Sequence, residues 1–303
     1  MQDNTKGILY AGSAYLLWGL LPTYWRSVDA FNPYEILFHR VLWSAFFMVI
    51  LIVVLKKKSS FVTDTKALFN RKKELSALIL ASIVIMVNWG IFIWAINNHH
   101  VLQASLGYYI NPLMSIALGF IFMKERFNGL EIIAIILAAI GVLFMTVSSG
   151  TFPLISIVLA ASFALYGLMK KYVNIDAIYS IALETIITLP LALLGIGYLS
   201  QQGENHFGIN QTSFLILFAG VATAVPLIMF TAGARRIPLS LIGFLQYISP
   251  TLILLQGVFL FGEDFTMTDF ITFFCIWAGL ILYSYSKYIQ YKKIIRKKML
   301  KPN

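Results

Sequence analysis

The chain has 303 residues, 59% of them apolar and only 12% charged, with a mean hydropathy of +0.80 and a formal net charge of +10. A soluble domain carries about 25% charged residues, whereas the apolar residues here fall in runs of about 20, the length of helix that crosses roughly 30 Å of hydrocarbon. This excludes a soluble globular domain, and the lack of apolar/polar alternation within the runs excludes a transmembrane β-barrel.

The runs predict an all-α polytopic membrane protein with ten transmembrane helices. Their approximate limits are 8–25, 34–55, 75–96, 101–122, 129–147, 153–171, 176–199, 212–232, 238–261 and 267–287. The first run follows MQDNTKG without an A-x-A-like cleavage site and reads as a retained span rather than a signal peptide. The two longer connections, about 56–74 and 200–211, show no periodic apolar pattern and are too short for further domains. Cys275 is the sole cysteine and lies inside an apolar run, so no disulfide framework or thiolate metal cluster is expected.

Basic residues set the orientation of such a chain. With the N-terminus in the cytoplasm, every Lys and Arg except Arg26 and Arg40 falls in a cytoplasmic segment. These include Lys56, Lys57 and Lys58, Lys124 and Arg126, Lys170 and Lys171, Arg235 and Arg236, and the C-terminal tail. The positive charge is thereby assigned to topology and to anionic lipid at the bilayer surface, and not to nucleic acid. A multi-pass protein of the plasma membrane with both termini cytoplasmic is expected.

The fourth and ninth spans resemble one another. Tyr109 matches Tyr247, Ile110 matches Ile248, Pro112 matches Pro250, Gly119 matches Gly257 and Glu125 matches Glu263, with Asn111 opposite Ser249. SAYLLWGL at 13–20 likewise aligns with ASFALYGL at 161–168, pairing Trp18 with Tyr166. Two halves follow, 6–148 and 152–287, with a basic tail over 288–303. Five spans per half turn the second copy upside down relative to the first, an arrangement associated with alternating-access transporters whose sites lie near the midplane. Pro112 and Pro250 both fall close to the bilayer centre. Each removes the helical partner of the carbonyl four residues back, at Tyr108 and Gln246, so two proline-broken helices facing a wet cavity are expected, a packed kink being the bland alternative.

Polar residues inside the spans nominate a substrate site. His39, Arg40 and Trp43 come from the second span, with Glu35 and His39 one turn apart. Arg40 lies roughly 9 Å inside the outer surface, where a charge is costly unless paired or hydrated. Glu184, on a stripe with Asp176, Ser180 and Thr188, is the partner to test, although depth counting sets the two charges at opposite ends of the cavity. Asn88 reads equally as interhelical glue or as a substrate contact. Trp18, Tyr108, Asn111, Tyr166, Gln246 and Tyr247 complete the candidate substrate-binding set. His99 and His100 read as outer-interface residues. No P-loop, metal-ligand cluster or Ser/His/Asp set is present, so no cofactor, no metal and no catalytic residue is expected.

The chain resembles the RarD-type branch of the EamA group in the drug/metabolite transporter superfamily. The likeness is carried by SAYLLWGLLPTYW at 13–25, HRVLWS at 39–44, NWGIFIWAIN at 88–97, LQASLGYYINPL at 102–113, ALYGLMKK at 164–171 and ARRIPLS with GFLQYISPT over 234–251. It implies two inverted five-helix repeats and a permease for small metabolites or drugs, a non-enzymatic function. Gln103 stands where that family usually has an acidic residue. The expected partners are a small-molecule substrate and the lipid bilayer, with oligomeric state left open. A proton-coupled transporter, an uncoupled facilitator of the same fold and a non-transporting scaffold are the three readings carried forward.

Overall fold

The computed structural model describes residues 2–150, 152–262 and 264–299. All regular structure among them is helical. The elements are α1 (Gln2–Arg26), α2 (Pro33–Val54), α3 (Lys58–Phe69), α4 (Lys72–Asn97), α5 (Val101–Met123), α6 (Gly129–Ser148) and α7 (Leu154–Tyr172). They continue with α8 (Ala177–Gln201), α9 (Gln211–Leu217), α10 (Ala219–Ala234), α11 (Leu239–Gln246), α12 (Ile248–Phe261) and α13 (Met267–Met299). Nine segments among the described residues are long and apolar enough to cross a membrane, with α9–α10 and α11–α12 each counting as one. The first predicted span is the exception. α1 is helical over 25 residues, but Ser13, Tyr15, Trp18 and Pro22 dilute its hydropathy and it does not reach that standard.

Three sequence expectations change. The connection near 56–74 contains α3, whose Leu68 and Phe61 pack against Ala77, Leu78 and Tyr179. Two apolar anchors seven residues apart share a helical face but are too few to register as a periodic pattern. The proline breaks are also unequal. α5 runs unbroken through Pro112, whereas the second copy divides at Tyr247 into α11 and α12. The backbone there tightens into a three-residue turn, Tyr247 donating to the Phe244 carbonyl, and the flanking Ser249 hydroxyl donates to the Tyr15 carbonyl at 2.7 Å. Finally, α13 extends without interruption through the predicted tail as far as Met299. Glu263, the counterpart of Glu125, and residues 300–303 lie outside the described residues.

The interior is made of close helix contacts through small residues, as expected where lipid supplies no hydrophobic drive between helices. α6 packs along α13, and a Cβ at Gly141 would meet the Thr272 carbonyl at 2.8 Å, one at Gly279 the Ala134 carbonyl at 2.7 Å. Gly233 brings α10 as near to Ala11 of α1, and Gly243 brings α11 against the Pro112 carbonyl of α5. The central core joins Tyr15, Met48, Ile85, Tyr166, Ile181, Leu227 and Phe230 from six helices.

One contact crosses the centre of the chain at the α5–α6 corner. Lys124 ends α5 in the left-handed conformation (φ 54°) and turns Glu125 toward α11. Its carboxylate accepts from the backbone N–H groups of Leu239 at 2.6 Å and Ser240 at 3.0 Å, capping α11. A carboxylate at that position satisfies otherwise orphaned donors and complements the helix dipole.

Candidate functional site

α2, α4, α8 and α10 surround a cavity of about 20 Å³, room for about one water. Its walls are Val41 and Ser44, Ile85 and Trp89, Ile181, Glu184, Thr185 and Thr188, and Thr223 and Leu227. The polar side chains come chiefly from α8, where Glu184 and Thr188 are one turn apart and share a face.

Glu184 is 4% exposed and is fully engaged. Its partner is Lys170 of α7, which is 0% exposed and forms a direct ion pair with Oε1. Ser180 Oγ donates to the same oxygen at 2.9 Å and Tyr166 OH donates to Oε2 at 3.0 Å, while Lys170 Nζ also donates to Ser180 Oγ at 3.0 Å. Two helical i, i+4 pairs, Tyr166/Lys170 and Ser180/Glu184, thus interlock across the α7–α8 contact. A buried pair tolerates the loss of hydration when its remaining lone pairs and protons are hydrogen-bonded, as they are here.

Lys170 is the residue that sequence reasoning missed. Its place near the end of a span assigned it to the cytoplasmic charge cluster. The available signal was its spacing, four residues after Tyr166 and so on the inward face. Its neighbour Lys171 points elsewhere, donating to the carbonyls of Ala234 at 2.9 Å and Ile237 at 2.6 Å. Asp176, from the same predicted stripe as Glu184, caps α8 through Ile178 N–H and pairs with Lys57 at 3.3 Å.

Arg40 lies behind the part of the cavity wall formed by Trp89 and Thr223. Its Nε donates to Thr223 Oγ1 at 3.1 Å, and its guanidinium lies 4.8 Å from the Trp25 ring centroid and 4.5 Å from that of Trp89. Trp89 and Thr223 both line the cavity, so Arg40 is one residue removed from the space that Glu184 faces, and the two charges do not pair with each other.

The remaining candidates divide. Trp18 and Tyr166 meet in an aromatic cluster with Tyr15, Phe163 and Phe230; Tyr166 stacks on Phe230 at 5.7 Å and 14°. His39 stacks on Phe207 at 4.9 Å, and neither ring nitrogen has a hydrogen-bond partner among the described residues. Trp43 also packs on Phe207, its Nε1 buried and unpartnered. Phe207 is held there because the adjacent His206 donates its backbone N–H to buried Glu35 at 2.7 Å and sets its ring Nδ1 3.0 Å from the other carboxylate oxygen. Gln246 accepts from Ser115 at 3.2 Å, linking α5 to α11, and Asn111 Oδ1 is buried without a partner.

Three further candidates do not line the cavity. Tyr247 is buried with Ala138 and Ile276, against α6 and α13. Tyr108 is 44% exposed and edges onto Phe92, off the cavity wall but within electrostatic reach of Arg40. Asn88 faces α7, donating to the Leu159 carbonyl at 2.9 Å and to Ser162 Oγ at 2.8 Å. Replacing Asn88 by alanine is expected to cost about 1 kcal/mol, at roughly 0.6 kcal/mol per interhelical hydrogen bond in a membrane. A Tm lower by a few degrees in detergent, with flux retained, is the outcome expected of a purely structural contact.

The assembly is that of a multi-pass helical membrane protein with a charged, hydrogen-bonded interior. Comparison with known proteins specifies it. The EamA-like transporter family matches residues 5–147 and again residues 151–285, and the chain belongs to that family. It is 40% identical over 288 residues to "Uncharacterized transporter YojE" of Bacillus subtilis (strain 168), covering 94% of this chain and 95% of that one. It is 41% identical over 284 residues to "Protein RarD" of Escherichia coli (strain K12), covering 93% and 95%. A crystal structure sharing 16% identity superposes with a TM-score of 0.70 over 92% of this chain and 97% of that chain, a likeness of fold. The protein is a membrane transporter of the drug/metabolite superfamily.

Proposed function

We propose that the protein is a secondary transporter that moves a small organic metabolite or drug across the plasma membrane by alternating access, with both termini cytoplasmic. The observation that carries this reading is the cavity between α2, α4, α8 and α10, a largely apolar space inside the membrane span whose wall nonetheless includes Glu184 and two partners of Arg40, Trp89 and Thr223. A plain anchor has no use for such groups at that depth.

Helix packing supports ten spans arranged as two inverted halves, with α1 as the first. Exchanging α1 with α7, α2 with α8, α4 with α10, α5 with α11–α12 and α6 with α13 maps the packed pairs onto one another. α1·α10 becomes α7·α4, α2·α10 becomes α8·α4, and α1·α12 becomes α7·α5, while α2·α8, α5·α11 and α6·α13 map onto themselves. The double family match, 5–147 and 151–285, divides the chain at nearly the same place as the proposed halves.

Proton coupling is assigned to Glu184 or His39. Release of Lys170 would leave the Glu184 carboxylate facing the cavity without its cation, free to exchange that partner for a proton. Flux through the purified protein in liposomes tests this. A coupled transporter loses uptake driven by an imposed proton gradient on Glu184→Gln or His39→Gln, while solute exchange without a gradient persists. Gradient-independent flux that ignores both substitutions identifies a facilitator. A scaffold moves nothing.

A further inference from the structure

We infer that the solute is an organic anion and that Arg40 binds its carboxylate. This rests on the transport reading above and names the class of substrate for that site.

The charges around the cavity do not balance. Glu184 is neutralised by Lys170, so that pair contributes no net charge. Arg40 takes part in none of the ion pairs among the described residues. Its only hydrogen bond to the protein among those residues is Nε to Thr223, and its terminal nitrogens are not among the sealed, unpartnered polar atoms. The two ends of the guanidinium fork therefore have no hydrogen bond to the protein among the described residues.

Trp25 and Trp89 hold the plane of that fork through their ring faces. Aromatic faces stabilise a cation without neutralising it and leave its edge free. A planar, permanently charged edge with two parallel donors matches a carboxylate in bidentate geometry. A cation is repelled from such a site, and a neutral solute leaves the charge uncompensated. The present cavity holds about one water, so a carboxylate reaches the fork when the surrounding helices part, as alternating access requires.

The same fork also suits a lipid phosphate, and the test separates the two. The full-length protein in phosphatidylcholine nanodiscs is titrated with acetate, phenylacetate and benzoate and with the amide of each, reading tryptophan fluorescence because two tryptophans flank the guanidinium. At least one acid is expected to bind ten-fold or more tightly than its amide, and Arg40→Gln is expected to erase the preference. Arg40→Lys, which keeps the charge but not the fork, is expected to weaken the acid about ten-fold with the amide unchanged, and it serves if Arg40→Gln does not fold. No acid-over-amide preference across the panel, or a preference that either substitution leaves intact, overturns the inference. So does a preference that vanishes in phosphatidylglycerol nanodiscs, which assigns the fork to lipid phosphate. The two readings fail differently. Arg40-dependent acid binding without flux in liposomes overturns transport alone, whereas flux of neutral solutes that ignores Arg40→Gln overturns the anion site alone.

Discussion

Lys170→Met is expected to lower the stability of the protein by about 3–5 kcal/mol, the cost of leaving one member of a buried ion pair without its partner. The lysine is sealed at 0% exposure, and no other cation among the described residues pairs with Glu184. The fully engaged carboxylate keeps Ser180 and Tyr166 but loses the charge that balances it. Glu184 must then take up a proton or draw in water, and the α7–α8 contact loosens. The double substitution Lys170→Met/Glu184→Gln removes both charges and is expected to recover most of the loss. Melting of the detergent-solubilised protein checks both. A single variant that melts like the parent would refute the coupling. Flux is expected to separate from stability: the double variant folds but does not couple solute movement to a proton gradient.

Gly243→Val is expected to have an effect of similar size for a steric reason. A Cβ at this position of α11 would stand 2.6 Å from the Pro112 carbonyl and 2.9 Å from Ile116 Cγ1. The first is backbone and cannot rotate away. α5 and α11 must therefore separate, losing the contact that joins the proline-bearing helices. Overpacking costs about 1–3 kcal/mol where side chains give way and more where backbone must move. The expected outcome is a low yield of monodisperse protein and no flux. Gly243→Ala, with the smallest possible Cβ, is expected to lie between the parent and the valine variant, and equal behaviour of all three would sink the argument.

Much of this architecture is legible in the chain because a bilayer constrains it so strongly. Apolar runs of fixed length mark the spans, and only α1 falls short of the hydropathy of the others. Arg40 and Glu184 stand out because charge is rare at their depth. Pairing is harder to read. Depth along a helix follows from residue number, but which face meets which neighbour depends on rotation and tilt. Lys170, near a helix end, reads as a solvated loop lysine unless its i+4 spacing from Tyr166 is weighed, and Arg40 meets two tryptophans instead of the carboxylate. The prolines show the same limit. One missing N–H in a 23-residue helix is absorbed at Pro112, while at Pro250 the chain yields into a tightened turn beside the Ser249 bond to α1. Nothing in the two matching motifs distinguishes those outcomes.

The length of α13 has a practical consequence. Its 33 residues span about 50 Å at 1.5 Å per residue, against roughly 30 Å of hydrocarbon. Lys287 is bound to buried Glu131 of α6 at 2.6 Å, and Gln290 to the same carboxylate at 2.9 Å, so the helix is clamped where it would leave the bilayer. Beyond that clamp the helix continues to Met299. A fluorophore attached at the clamp itself, where α13 is tied to α6, is expected to report tilting of the α6–α13 pair as a change in angle.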